Sequence, residues 1–175
     1  MMNIIKFSVC LFTLTVCLSF SCLSFTCLNA AALEKVSNEK VSKVTTQNSQ
    51  KINWQNYEDG MARGKSESKK VLINFYADWC RYCKEMDKKT FKDESVISYI
   101  NENFVSIKVN SDKNKKLAQN YNVRGLPATW FIAETGENIG NRPGYMSPED
   151  MLNVLKYIYT DSYKKMNFSD FMKKM

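Results

Sequence analysis

Cys80 and Cys83 stand three residues apart in the run Asp78-Trp79-Cys80-Arg81-Tyr82-Cys83-Lys84-Glu85. Two thiols at that spacing can exchange with a disulfide: one attacks, and the other, one turn further on, resolves the mixed disulfide that forms. The flanking residues decide whether the first thiol is reactive. Val71-Leu72-Ile73 and Phe75-Tyr76 make a short apolar, β-branched and aromatic run around Asn74, which suits a buried strand. Lys84 to Lys89 supplies good helix formers with no Gly or Pro. Cys80 is therefore expected where a strand hands over to a helix N-terminus. Unpaired backbone N–H groups and the positive end of the helix dipole stabilise an anion at such a place. A thiolate is such an anion, which predicts Cys80 as nucleophile and Cys83 as resolving thiol. Arg81 should favour the same thiolate, modestly, because a single exposed charge acts weakly.

Composition removes several other chemistries. The chain has 175 residues, 44% of them hydrophobic, which is enough for one packed domain plus processing or linker segments. It carries a formal charge of +7 with basic residues scattered among acidic ones, a solvated and mildly cationic surface. No long basic block and no recognisable nucleic-acid motif is visible in the sequence, so nucleic acid is not an expected partner. There is no histidine, which excludes His-containing zinc and copper sites, His-based acid–base catalysis and Cys-His proteolysis. Haem attachment of the c type fails as well, because Lys84 follows Cys83 where a histidine is required.

Four of the six cysteines, Cys10, Cys17, Cys22 and Cys27, lie in a segment that reads as a secretory signal. Lys6 gives a positive start, Phe7 to Leu28 is apolar, and Asn29 to Ala32 ends in small residues suited to cleavage. Removal of residues 1–32 would leave Cys80 and Cys83 alone in an exported, oxidising compartment, the periplasm. Retention of the segment as a membrane anchor facing the periplasm is the alternative. Residues 33–51 are polar and read as a flexible linker, residues 52–160 as the folded domain, and residues 161–175 as a packed C-terminal extension.

Within the domain, Trp54 to Arg63 is expected to form a first helix ending near Gly64, ahead of the apolar strand. After the Cys-x-x-Cys helix, Asp93 is a plausible N-cap for a helix to about Glu102, and Phe104 to Asn110 alternates as a strand does. Asp112 to Tyr121 looks helical. Ala128 to Ala133 and the turn at Glu134-Thr135-Gly136-Glu137 predict a strand and an antiparallel partner, interrupted by Pro143-Gly144. Ser147 with Pro148 marks the start of a closing helix.

This order of elements resembles the thioredoxin fold, an α/β architecture with a central mixed sheet flanked by helices. Phe75 to Glu85 followed by Thr90-Phe91, together with Gly125-Leu126-Pro127, resembles in particular the periplasmic C-terminal thioredoxin-like domain of the DsbD family of transmembrane thiol transporters. The resemblance covers roughly Trp54 to Tyr159. It implies a cis proline at Pro127 lying against the Cys80–Cys83 disulfide, and a substrate-binding rim made by Trp79, Leu126 and Pro127, with the Leu126 backbone pairing with an extended segment of substrate. Where thioredoxins often carry a buried Asp that moves protons, this chain has Asn74, which cannot titrate. Asp87 matches an acidic residue of DsbD-like domains that tunes thiol protonation, and reads equally as a solvated helix carboxylate. Lys108 lies where thioredoxins carry a lysine near the buried acid, and an ion-pair role is the simpler reading for it.

The resemblance implies an exported protein-disulfide reductase that needs no cofactor or metal. It would act as a monomer on disulfide-bearing exported proteins and be re-reduced by a membrane thiol transporter. Two alternatives stay open from the residues themselves. The same fold could serve as a disulfide donor, since an over-stable thiolate makes a disulfide oxidising. The two thiolates could also hold a soft ion such as Cu(I) in a non-enzymatic carrier.

Overall fold

A computed structural model of the chain describes residues 51–175. The expected signal segment, and all of the expected linker except Lys51, lie outside the described residues. The central sheet has five strands in the order β1-β3-β2-β4-β5: β1 Trp54–Gln55, β2 Lys70–Tyr76, β3 Phe104–Asn110, β4 Ala128–Ile132 and β5 Asn138–Pro143. β1 and β2 run parallel to β3, whereas β4 is antiparallel to β2 and β5. The helices are α1 Tyr57–Ser66, α2 Arg81–Lys88, α3 Glu94–Asn103, α4 Lys115–Asn120, α5 Pro148–Tyr159 and α6 Phe168–Met172. None of the described helices is long and apolar enough to cross a membrane.

β2 is the buried axis of the domain, and its alternation sorts the core into two layers. Val71, Ile73 and Phe75 join Val105, Ile107, Val109 and Ala118 on one side. Leu72 joins Met86 of α2, Ile100 of α3, and Met151 and Leu155 of α5 on the other. The second layer seats α2 through Met86, which is 1% exposed. Asp93 caps α3 by accepting the Val96 N–H, and Ser147 with Asp150 forms a full capping box on α5 with Pro148 in its first turn.

Three boundaries differ from expectation. Trp54 does not begin a helix: it pairs with Ser106 in β1, and Asn56 caps α1 by accepting the Asp59 N–H. Gly64 does not end that helix, which runs on to Ser66; it is glycine where a side chain would overlap Val71 of β2. The expected helix from Asp112 to Tyr121 is reduced to α4, since Asn110 folds Asp112 and Lys113 into a turn by accepting both backbone N–H groups. Beyond α5, Tyr163 and Phe168 pack against the core, and Lys70, nearly buried, binds Glu134 at 2.7 Å and Asp161 at 3.2 Å.

Candidate active site

β2 delivers the chain through Ala77-Asp78-Trp79 into α2. The Cys80 N–H closes this turn on the Ala77 carbonyl at 3.1 Å. Cys80 is extended (φ −72°, ψ 108°) and is the N-cap of α2; its Sγ accepts the Cys83 N–H at 3.1 Å. The sulfur thus stands where a capping Ser or Asp would place its oxygen, facing a donor that a thiolate would also use. Cys80 and Cys83 are joined by a disulfide with their Cα atoms 5.3 Å apart. Each is 4% exposed, and with Ala77 they form a small apolar cluster against which Tyr76 and Leu126 pack.

The loop before β4 borders this cluster. The Leu126–Pro127 peptide is cis. The Pro127 carbonyl accepts the Gly144 N–H at 2.7 Å, which ties the loop to the residue after β5. The N–H and C=O of Leu126 make no hydrogen bond among the described residues. They leave a short, open stretch of backbone beside the disulfide.

Trp79 is 71% exposed, and its indole N–H donates to Asp112 Oδ2 at 2.9 Å. Asp112 is held in turn by Asn110, whose amide also donates to Asp78 at 3.2 Å. Neither Asp112 nor Asn110 stood out in the sequence. The signal available was Asn-Ser-Asp at the end of a strand, a turn former through its side-chain oxygen.

Of the remaining candidates, Asn74 and Lys108 stand in a polar row across the sheet with Thr129, while Asp87 and Arg81 lie on α2. Asn74 is 2% exposed, neighbours Lys108 on β3 and Thr129 on β4, and donates to Thr129 Oγ1 at 3.3 Å. Lys108 donates to Asp87 of α2 and lies 4.9 Å from the centre of the Tyr76 ring and 5.5 Å from that of Trp54, within cation–π range. Tyr76 therefore touches both the disulfide cluster and the Asp87–Lys108 pair. Arg81 is exposed and, with Trp79, Lys84, Glu85, Lys88 and Lys89, borders a surface hollow of about 450 Å³.

A disulfide set at a strand-to-helix junction, on a sheet of this order, defines a thioredoxin-like disulfide oxidoreductase. Residues 57–159 match the thioredoxin-like domain family, and the chain belongs to that family. The thiol:disulfide interchange protein DsbD of Photorhabdus laumondii is 38% identical over 90 residues, covering 50% of this chain and 15% of that protein. The DsbD of Actinobacillus pleuropneumoniae is 36% identical over 98 residues, covering 53% of this chain and 17% of that protein. The chain thus spans less than a fifth of the length of these relatives. A thioredoxin from Thermus thermophilus superposes with a TM-score of 0.57 at 25% identity, over 62% of this chain and 87% of that one.

Proposed function

We propose that the chain is an exported protein-disulfide reductase. In its reduced form the Cys80 thiolate attacks one sulfur of a partner disulfide, forming a Cys80–partner bond and expelling the partner's other sulfur as a thiolate. Cys83, as thiolate, then attacks Cys80 Sγ and releases the second partner sulfur. Two electrons pass to the partner, and the Cys80–Cys83 disulfide remains. Trp79, Leu126 and Pro127 form the rim that receives the partner, with the open Leu126 backbone groups pairing with an extended segment. A membrane thiol carrier returns two electrons to the pair, and residues 1–32 direct export to the periplasm.

The observation that carries this reading is Cys80 Sγ at the cap of α2, accepting the Cys83 N–H at 3.1 Å. That donor stabilises the thiolate, and Cys83 stands close enough to resolve the intermediate. The likeness to DsbD supports the direction of flow. Cys83→Ser is expected to trap partners as mixed disulfides on Cys80, while Cys80→Ser traps none and loses insulin-reducing activity; activity retained without Cys80 would overturn the reading. The direction is tested by the reduction potential in defined thiol buffers. A value near about −270 mV fits a reductant, and one near about −120 mV makes the protein a disulfide donor.

A further inference from the structure

The helix that carries the cysteines is charged against its own dipole. α2 has no acidic residue in its first turn, although that end of a helix favours anions. Arg81 and Lys84 stand there instead. Lys88 repeats the charge of Lys84 four residues on, a spacing at which like charges repel. The close pairs of the helix acids lie elsewhere: Glu85 with Lys89 at 2.7 Å and Asp87 with Lys108. Arg81, Lys84 and Lys88 are all exposed, and none has an ion-pair partner among the described residues. Arg81 and Lys88 act on Glu85 only at longer range, as lesser contributions beside Lys89 to holding its carboxyl below the usual range, and none of the three charges is fixed in a close pair.

Their spacing has a direction. Residues at i, i+3 and i+7 share one helix face, and a rise of about 1.5 Å per residue spreads the three over about 10 Å. That is the length of roughly three residues of extended chain, more than one carboxylate needs. The stripe begins beside the disulfide and borders the hollow of about 450 Å³ that Trp79 also lines. Trp79 and Tyr82 are 71% and 59% exposed, apolar surface next to the charge.

We infer that the outer face of α2 is a docking surface for an acidic segment of the partner protein, adjoining the partner's exchanging cysteine. The carboxylates lie along Arg81, Lys84 and Lys88, and an apolar side chain rests on Trp79. This rests on the exchange reading of Cys80 and Cys83 and narrows its substrate class. Arg81 alone would be explained by the neighbouring thiolate. Lys84 and Lys88, further along the helix, are not.

The test uses the reduced full chain and two disulfide-linked peptides that differ only in having three Glu or three Gln beside the cysteine. Each turnover oxidises Cys80 and Cys83 and yields two peptide thiols. At low ionic strength the acidic peptide is expected to react about tenfold faster than the neutral one, an advantage that shrinks toward unity at 0.5 M salt (about a 4 Å screening length). In Lys84→Gln/Lys88→Gln the ratio of acidic to neutral rates should fall most of the way to one. A ratio near one in the native chain, or an unchanged ratio in the variant, overturns the inference while leaving the exchange reading intact. Failure of both peptides to react overturns the exchange reading, and the inference with it. Oxidised glutathione reacting as fast as the acidic peptide assigns the stripe to a small anionic disulfide, which also overturns it.

Discussion

Replacing Asn74 by Asp restores the acid that thioredoxins often bury at this place, and the structure sets what that should do. The side chain is 2% exposed in the middle of β2, between Thr129 and Lys108. Lys108 is already engaged by Asp87, so the new carboxyl meets burial before it meets a counter-ion. Burial of this degree raises a carboxyl by about 3 units from an unfolded value of about 3.9. At 1.36 kcal/mol per unit, Asn74→Asp should cost about 4 kcal/mol at pH 8. The sign follows from linkage. A folded value above the unfolded one means that the native state holds its proton more tightly, so the penalty disappears as pH falls and is close to zero below about pH 4. Urea unfolding of wild type and variant at pH 4, 6 and 8 measures it, in the oxidised form so that the thiols do not titrate. A penalty of equal size at pH 4 and pH 8 would refute the reasoning, because a lost amide contact has no such pH dependence. No penalty at pH 8 would also refute it, by showing that Lys108 can leave Asp87 and neutralise the new charge.

Gly64→Ala sets about 1 kcal/mol of helix propensity against an overlap with Val71 that costs about 1–3 kcal/mol. A net loss of about 1 kcal/mol in urea unfolding is expected, and a gain would show that α1 can draw back from β2. Lys70→Met tests the buried cation that joins Glu134 and Asp161. Burial works against the charge of Lys70, yet the two carboxylates outweigh it and hold the ammonium above its usual range. Burial likewise pushes Glu134 and Asp161 up, and Lys70 outweighs it, holding both below the usual carboxylate range. Lowered carboxyls stabilise above about pH 4 and lose this as pH falls through their folded values, while a raised lysine stabilises below about pH 10 and loses it above. The melting temperature of Lys70→Met should therefore fall furthest behind wild type between about pH 5 and 10, with the gap closing below pH 4; a gap constant from pH 3 to 8 would sink the linkage.

What was readable in the chain was local. Cys80 and Cys83 are three residues apart, and an apolar run before them and helix formers after them are enough to put the first at a helix cap. Ser147-Pro148 and Asp93 announced their helices for the same reason, since capping is decided within four residues. β2 could be read from its continuous apolar run, which a strand buried on both faces requires, and β3 from its alternation. Trp54 misled because one aromatic followed by Tyr57 and Met61 has helical spacing, while its actual partner, Ser106, is fixed only when β1 finds β3. The same limit hid the support of the site. Asp112 holds Trp79 from 33 residues away, and although Lys108 was expected in an ion pair, its partner Asp87, 21 residues away, was not foreseen. Contacts of that span follow from topology, which local pattern does not contain.

The two ends of the sheet carry a consequence for how the molecule behaves in company. An outermost strand invites another chain to extend it, and short length, glycine, proline, charge and irregular register all discourage that. β1 is two residues long. β5 contains Gly140 at φ +155°, Arg142 and Pro143, and its pairing with β4 shifts register at Phe131/Ile132. Both borders are thus poor templates for self-association and fibril growth. The unpaired backbone at Leu126 is set instead within a single loop beside the disulfide, too short to seed a growing sheet. The fold thus leaves backbone open at one point beside the disulfide while its two margins stay poor partners for another strand.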